Sequence, residues 1–131
     1  MSEKPCILLV DDEEAIIKTV RARLEASGYR VLTAMDGTEG LEKARGEHPD
    51  LMILDLMLPN LDGYHVCKLL KGDTRYRKIP IIMLTARAGE KDEKLGYESG
   101  ADAYLRKPFQ TQELLSAIEK FIRRSAQSAD A

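Results

Sequence analysis

Acidic side chains stand at the ends of two apolar runs in this sequence. Asp11 and Asp12 follow the run Cys6–Val10, and Asp55 ends the run that begins at Leu51. Continuous apolar runs of this kind are typical of strands buried on both faces of a parallel sheet. An ionised Asp at the end of such a strand loses hydration, so it needs a cation or a metal ion, or it reaches into solvent. On this stretch alone, an Asp that caps a turn is an equally good interpretation.

A hydroxyl residue and a lysine follow two other apolar runs. Thr85 and Ala86 come after the fourth run, and Lys107, followed by Pro108, comes after the fifth. In open parallel sheets, ligands bind beyond the carboxyl ends of the strands. Taken singly, each residue has a plain explanation as a helix cap, a strand-end hydroxyl or a solvated lysine. Polar residues at four strand ends are hard to obtain by chance, so together they predict one shared crevice.

The elements that position these residues alternate along the chain. Five apolar strands alternate with five helices through short connections, which predicts an α/β fold, doubly wound around a five-stranded parallel sheet. Polar side chains interrupt residues 29–34, as in an edge strand. The last helix has the clearest amphipathic stripe, with Thr111 as its predicted N-cap. The predicted fourth helix, over residues 90–99, has few large apolar residues and is expected to be the most mobile element.

Length and composition disfavour several classes of protein. The 131 residues suffice for one domain with one core, and 20 basic against 22 acidic residues disfavour direct binding of nucleic acid. The first apolar run is too short for a signal peptide or a membrane span. The two cysteines lie far apart without further metal ligands beside them, so we expect buried free thiols in a reducing cytoplasm.

The charges at the predicted crevice indicate a particular chemistry. Three carboxylates close together repel one another unless a cation keeps them ionised. Mg²⁺ prefers such oxygen ligands, and it would keep several waters and accept a phosphate oxygen. Lys107, the Thr85 hydroxyl and the Ala86 backbone N–H would receive an incoming phosphoryl group. Asp55 would then be the nucleophile that forms an acyl phosphate.

Four motifs together give the chain a family resemblance. It resembles the receiver domain of bacterial two-component response regulators from about residue 4 to residue 124. The motifs are residues 9–13, 54–59 with 62–63, 84–86 and 100–109. The resemblance implies a flavodoxin-like sheet with strand order 2-1-3-4-5. It also implies a receiver domain over residues 1–124, with residues 125–131 as a flexible tail or the start of a linker.

The resemblance further implies a role for each acid of the crevice. Asp55 matches the phosphoacceptor. Asp12 and Asp55 match carboxylate ligands of Mg²⁺, and Asp11 would act largely through water. Met57 would contribute its backbone carbonyl to the same ion.

A switch is implied as well. Lys107 matches the partner of the phosphoryl group, and a cis peptide before Pro108 would aim its side chain into the crevice. Thr85 and Tyr104 match a switch pair, in which Thr85 moves toward the phosphoryl group and Tyr104 fills the vacated space. The surface of the fourth helix, the fifth strand and the last helix would then repack.

The implied partners are a histidine kinase or a phosphotransfer protein, and a downstream protein target or an output domain. The domain would catalyse its own phosphorylation and dephosphorylation without turning over a separate substrate, as a monomer or a phosphorylation-dependent dimer. Glu93, Ala103 and Ala117 depart from the members that dimerise and carry a winged-helix DNA-binding domain. These departures disfavour that subfamily.

Three alternatives share parts of this pattern. A phosphatase of the haloacid-dehalogenase type also forms an acyl phosphate with Mg²⁺, but it needs a second Asp where this chain has Met57. A flavodoxin-type nucleotide module shares the fold, yet Asp11 and Asp12 stand where its Gly-rich phosphate loop belongs. A degenerate receiver that only docks a partner is the third alternative, and the complete set of site residues counts against it.

Overall fold

The central strands form because their apolar residues run without interruption. The computed structural model describes residues 4–86, 94 and 98–130, with the backbone alone for residues 124–130. Every residue of the first, third and fourth strands is buried, so these strands need cover on both faces. The strands are β1 (Cys6–Val10), β2 (Arg30–Ala34), β3 (Leu51–Asp55), β4 (Ile81–Thr85) and β5 (Ala103–Arg106).

Each of β1, β2, β3 and β5 is followed by a helix, and two of these helices begin at a side-chain cap. In the described part of the chain they are α1 (Glu14–Ala26), α2 (Gly37–Glu47), α3 (Gly63–Lys71) and α4 (Thr111–Asp130). The Asp36 carboxylate accepts a hydrogen bond of 2.8 Å from the Glu39 N–H, and the Asp62 carboxylate accepts one of 2.9 Å from the His65 N–H. Such caps satisfy backbone donors that a helix leaves unpaired, and they fix where α2 and α3 begin.

The five strands are all parallel, in the order β2-β1-β3-β4-β5. The predicted flavodoxin-like order is therefore confirmed, and β2 is an edge strand as predicted. Val10 pairs with both Ala34 and Leu54, and Asp55 pairs with Leu84. The carboxyl ends of the strands thus meet at one edge of the sheet.

Alternation of side chains along the strands divides the core into two layers. One layer lies under α2 and α3 and the other under α1 and α4. The first contains Leu8, Val10, Met52, Leu54, Leu41, Ala44, Val66, Cys67 and Leu70. The second contains Ile7, Leu9, Leu51, Ile53, Val20, Leu24, Leu114 and Ile118. Both faces of the sheet are therefore covered, as the uninterrupted apolar strands require.

Several boundaries differ from the sequence prediction, and β2, for example, begins at Arg30 rather than at residue 29. Strand β4 begins at Ile81 rather than Ile79, because Pro80 has no N–H to donate. Strand β5 begins at Ala103 rather than Gly100, because Gly100 lies in the left-handed region with φ 98°. Thr111 is already the first residue of α4 rather than the residue before it.

The predicted fourth helix lies mostly outside the described residues, and the predicted tail is helical. The predicted helix over residues 90–99, including Glu93, lies outside the described residues except for positions 94, 98 and 99. The helical backbone of α4 continues through Asp130, across residues that we expected in a tail or linker, and the domain boundary at residue 124 stays a prediction.

Both cysteines are free and buried, as predicted. A search of the described residues finds no helix long and apolar enough to span a bilayer.

Gly63 allows α3 to begin directly against the end of β3. A Cβ atom at this position would lie 2.1 Å from the Asp55 carbonyl oxygen, well inside any real contact distance. The Gly63 N–H also donates to the Leu56 carbonyl at 3.0 Å. A larger residue would therefore push α3 away from Asp55.

We expect Gly63→Ala to lower the free energy of unfolding by about 3 kcal/mol, because the added methyl overpacks a backbone contact. Urea denaturation measures this change. Gly46→Ala is the matched control, since nothing lies within 4 Å of the place in α2 that its added methyl group would occupy. That variant should gain roughly 0.5–1 kcal/mol from the higher helix propensity of Ala. Equal stability of the two variants would contradict the close approach of α3 to β3.

Candidate functional site

The structure brings the predicted acids together at the carboxyl edge of the sheet. Asp11 and Asp12 directly follow β1, and Asp55 is the last residue of the adjacent strand β3. One carboxylate oxygen from each lies within 4.8 Å of the other two. The prediction that these three side chains share one crevice is confirmed. Asp55 therefore does not act merely as a turn cap.

The three acids differ in their exposure to water. Asp11 is fully buried, Asp55 is 3% exposed, and Asp12 is exposed. Burying carboxylates is costly unless they are paired, so Asp11 and Asp55 need a cation. Asp12 keeps one side of the cluster open to solvent. An ion or a ligand therefore has access from the Asp12 side.

Lys107 supplies the cation. Its Nζ lies 2.7 Å from Asp11 Oδ2, 3.0 Å from Asp55 Oδ2 and 3.2 Å from Glu13 Oε1. The Lys107 N–H donates to the Thr85 carbonyl at 2.7 Å, and the peptide between Lys107 and Pro108 is cis, as predicted. Only 10% of the Lys107 side chain is exposed. The interpretation of Lys107 as a solvated surface lysine is therefore wrong.

Backbone donors hold the other oxygens of the two buried acids. The Glu13 N–H donates to Asp11 Oδ1 at 2.9 Å, and the Met57 N–H donates to Asp55 Oδ1 at 3.1 Å. Each buried carboxylate therefore has one oxygen on a backbone donor and one on Lys107. The Met57 side chain itself is 49% exposed, so only its backbone takes part in the site.

The pKa values of the paired groups reflect burial and the ion pairs. Burial raises the pKa of Asp55, the hydrogen bonds from Lys107 and the Met57 N–H oppose that rise, and the charge of Asp11 adds to it. Burial lowers the pKa of Lys107, but its hydrogen bonds with Asp11 and Asp55 outweigh burial and raise the pKa above its usual value. The site thus holds one firmly charged ammonium among an excess of carboxylates. It is electrostatically suited to receive a further cation.

The predicted switch residues lie on neighbouring strands. Thr85 ends β4 and is fully buried, and Tyr104 of β5 pairs with Met83 and is half-buried. Side chains alternate along a strand, so Thr85 lies on the same face as Met83 and hence on the same face as Tyr104. Ala86 follows β4 and is exposed. These positions are compatible with the predicted roles, which remain predictions.

Glu13 is the site residue that sequence reasoning missed. It was part of a recognised motif, yet nothing in its type or spacing singled it out from Glu14. Its carboxylate is the third acid on Lys107. What identifies Glu13 as part of the site is its contact with Lys107, and that contact is known only from the folded structure.

Comparison with known proteins identifies the family. The family model described as the response regulator receiver domain matches residues 7–119. The chain belongs to this family, and it is a phosphoacceptor signalling domain of the two-component type. Its fold is the flavodoxin-like doubly wound sheet that the resemblance implied.

Similar proteins include regulators of different lengths. The chain is 51% identical over 121 residues to the alkaline phosphatase synthesis transcriptional regulatory protein PhoP of Bacillus subtilis, covering 91% of this chain and 49% of PhoP. It is 46% identical to the DNA-binding dual master transcriptional regulator RpaA of Synechocystis, covering 92% of this chain and 50% of RpaA. It is 38% identical to protein PilG of Pseudomonas aeruginosa, covering 88% of this chain and 86% of PilG. The chain thus spans about half the length of PhoP and RpaA.

Solved receiver structures resemble the whole fold. A CheY-like receiver domain from Methanospirillum hungatei superposes with a TM-score of 0.89 at 30% identity, covering 95% of this chain and 98% of that one. The receiver domain of sensor histidine kinase PA1611 from Pseudomonas aeruginosa has a magnesium ion coordinated in its active-site cleft. It superposes with a TM-score of 0.85 at 34% identity, covering 91% of this chain and 98% of that one.

These similarities count against one interpretation drawn from the sequence. Ala103 and Ala117 disfavoured a relation to receivers with DNA-binding output domains. PhoP and RpaA are named as transcriptional regulators and are among the similar proteins. Single positions such as these are therefore weaker indicators of output than overall identity.

We expect Lys107→Met to destabilise the fold by about 3 kcal/mol at neutral pH in the absence of divalent ions, because it leaves Asp11 and Asp55 buried without a cation. Burial already raises the pKa of Asp55, and loss of the opposing Lys107 hydrogen bond would raise it further above its unfolded value. Stability of the variant should accordingly fall as pH rises above about 4, and the deficit should shrink on acidification. Urea denaturation between pH 4 and pH 7.5 measures this trend.

Lys18→Met is the matched control for that series, because Lys18 is an exposed residue of α1. Its free energy of unfolding should stay within about 0.5 kcal/mol of the native chain at every pH. A pH-independent deficit in Lys107→Met would show that lost packing, rather than unpaired carboxylates, causes the instability.

Proposed function

We propose that Asp55 is the residue on which this receiver domain carries its phosphoryl group. The observation that supports the proposal is the Asp55 carboxylate 3.0 Å from Lys107 and within the cluster formed with Asp11 and Asp12. An Asp55 oxygen would attack the phosphorus atom of a phosphohistidine presented by a histidine kinase or a phosphotransfer protein. The P–O bond forms as the P–N bond breaks, and the imidazole leaves. Lys107 would balance charge on the phosphoryl oxygens.

Mg²⁺ is the metal that these residues fit. The carboxylates of Asp11, Asp12 and Asp55 are hard oxygen ligands, and the Met57 backbone lies beside Asp55. Asp11, Asp55 and Glu13 contact the Lys107 ammonium, and Asp12 adds a further carboxylate to the cluster, which leaves negative charge for a divalent ion to balance. When bound, Mg²⁺ supplies positive charge next to the phosphoryl oxygens. Asp12, the exposed acid, is the side chain that can turn toward the ion.

Thr85 and Tyr104 would relay the change at Asp55 to the protein surface. The Thr85 carbonyl accepts a hydrogen bond from the Lys107 backbone N–H. The Thr85 side chain lies on the same face of the sheet as Tyr104. Movement of the Thr85 hydroxyl toward a phosphoryl group would open space for Tyr104. The surface around β5 and α4 would then change, for a downstream target or for a copy of this chain.

The output is a separate proposal. Two relatives of twice this length are transcriptional regulators, whereas PilG is of nearly the same length. A longer protein with a DNA-binding output domain is therefore one candidate, and a receiver that acts through a separate protein target is the other. The receiver itself would act in the cytoplasm, in keeping with its two free thiols.

Acetyl phosphate with Mg²⁺ should phosphorylate the native chain on one residue. Intact mass spectrometry should show one added phosphoryl group that is lost in base, as expected of an acyl phosphate. Asp55→Asn should abolish the adduct, because the amide is not a nucleophile. Asp73→Asn, the same change in the turn after α3, should be labelled like the native chain. A degenerate receiver would show no labelling of any variant.

Mg²⁺ should raise the melting temperature of the native chain by several degrees, since an ion that binds only the folded state at tenfold its Kd adds roughly 1.4 kcal/mol. Asp12→Asn should reduce that rise by removing a ligand, and it should raise the melting temperature without metal by relieving repulsion between carboxylates. Calorimetry with and without Mg²⁺ measures both effects.

Glu47→Gln is the matched control for the metal series. Glu47 ends α2 and therefore lies toward the opposite edge of the sheet from the crevice. This variant should keep the full response to Mg²⁺. If Asp12→Asn and Glu47→Gln responded equally, Asp12 would not be a ligand.

A further inference from the structure

Glu13 contacts Lys107 although most of its side chain lies in solvent. Glu13 Oε1 is 3.2 Å from Lys107 Nζ, and the Glu13 side chain is 58% exposed. The two other acids on the same ammonium, Asp11 and Asp55, have side chains that are 0% and 5% exposed. Lys107 therefore joins two fixed acids to one that is free to move.

Three carboxylates surround the Lys107 ammonium, and two of its N–H groups donate to Asp55 Oδ2 and Glu13 Oε1. An ammonium group has three N–H donors, and the oxygens of Asp11, Asp55 and Glu13 lie at 2.7, 3.0 and 3.2 Å. A phosphoryl oxygen that approaches Lys107 therefore competes with these acids for the ammonium.

The burial of each acid indicates which of them can give up its contact with Lys107. Asp11 is fully buried, and loss of its cation would leave an uncompensated charge in a dry site. Asp55 cannot leave, because it would carry the phosphoryl group itself. Glu13 can turn into water at little cost, as exposed ion pairs contribute little. Glu13 is therefore the acid that the phosphoryl group displaces.

Glu13 has no competing role as a helix cap. It occupies the N-cap position of α1, where a side chain commonly accepts a backbone N–H, yet it makes no such bond. Its own N–H is held by Asp11 Oδ1 instead, which places its carboxylate over Lys107. The ion pair is thus the one specific contact that this side chain makes among the described residues.

We propose that Glu13 is a positioning residue that holds Lys107 before phosphoryl transfer and competes with the phosphoryl group for it. This proposal rests on the proposed function of Asp55 as acceptor. Glu13 would affect the rate of phosphorylation through its contact with Lys107. It would contact neither the phosphodonor nor the leaving group. Its removal frees one ammonium N–H for the phosphoryl oxygens.

The test compares Glu13→Gln with Glu14→Gln at saturating Mg²⁺. Glu14 is also an acid at the start of α1, so its change removes the same net charge without removing the contact to Lys107. Two quantities are measured: the rate of labelling by acetyl phosphate, and the dissociation constant of beryllofluoride, a phosphoryl mimic, by fluorine NMR. Glu13→Gln should label roughly two- to fivefold faster and bind beryllofluoride tighter by the same factor, the range expected for an exposed ion pair. Glu14→Gln should change both by clearly less.

A second pair of variants tests whether the effect passes through Lys107. In a Lys107→Gln background, Glu13→Gln should leave the slower labelling rate unchanged, because the shared ammonium is gone. Thermal melting confirms that each variant is folded. Equal effects of Glu13→Gln and Glu14→Gln, or an undiminished effect in the Lys107→Gln background, would overturn the proposal. If the native chain is not labelled at all, the failure lies instead with Asp55 as acceptor.

Discussion

The structure depends on one ammonium group that is shared by carboxylates in a nearly dry crevice. Lys107 balances the charges of Asp11 and Asp55, and its hydrogen bond opposes the rise that burial causes in the pKa of Asp55. The acids lie at the ends of two adjacent central strands, and Lys107 is the first residue after β5. The site therefore exists only when the sheet is folded. Its charges remain unbalanced, because the acids outnumber the ammonium. That imbalance makes the site receptive to a divalent ion.

The two-layer core explains why this imbalance can persist. Apolar side chains cover both faces of β1, β3 and β4, so Asp11 and Asp55 are held in place with little exposure to water. Close contacts such as that between Gly63 and the Asp55 backbone fix the loops around them. A rigid scaffold therefore holds like charges close together. In a flexible loop the same charges would move apart and relieve their repulsion.

Much of this arrangement follows from the sequence, because parallel strands bring their carboxyl ends to one edge. The convergence of Asp11, Asp12, Asp55 and Lys107 needs only that rule and the alternation of strands and helices. Boundaries set by local backbone geometry were less predictable, as at Gly100, whose positive φ delays the start of β5. Glu13 was beyond sequence reasoning, since its role depends on a lysine 94 residues away. Output was also hard to predict, because Ala103 and Ala117 are single residues packed against the core of this domain and carry little information about a partner outside it.

The same charge balance explains how phosphorylation at one side chain would change the structure elsewhere in the domain. A phosphoryl group adds about −1.5 to −2 charges at the end of β3, and the buried Asp11 cannot release Lys107 in compensation. Further donors would then be needed, and in the proposed function Thr85 is one of them. Its backbone carbonyl accepts from the Lys107 N–H, and its side chain lies on the same face of the sheet as Tyr104. A shift from 1% to 99% of the switched state requires about 5.5 kcal/mol of differential stabilisation. Interactions of a multiply charged group in a site that excludes water are of that order, whereas exposed ion pairs such as that of Glu13 only adjust it.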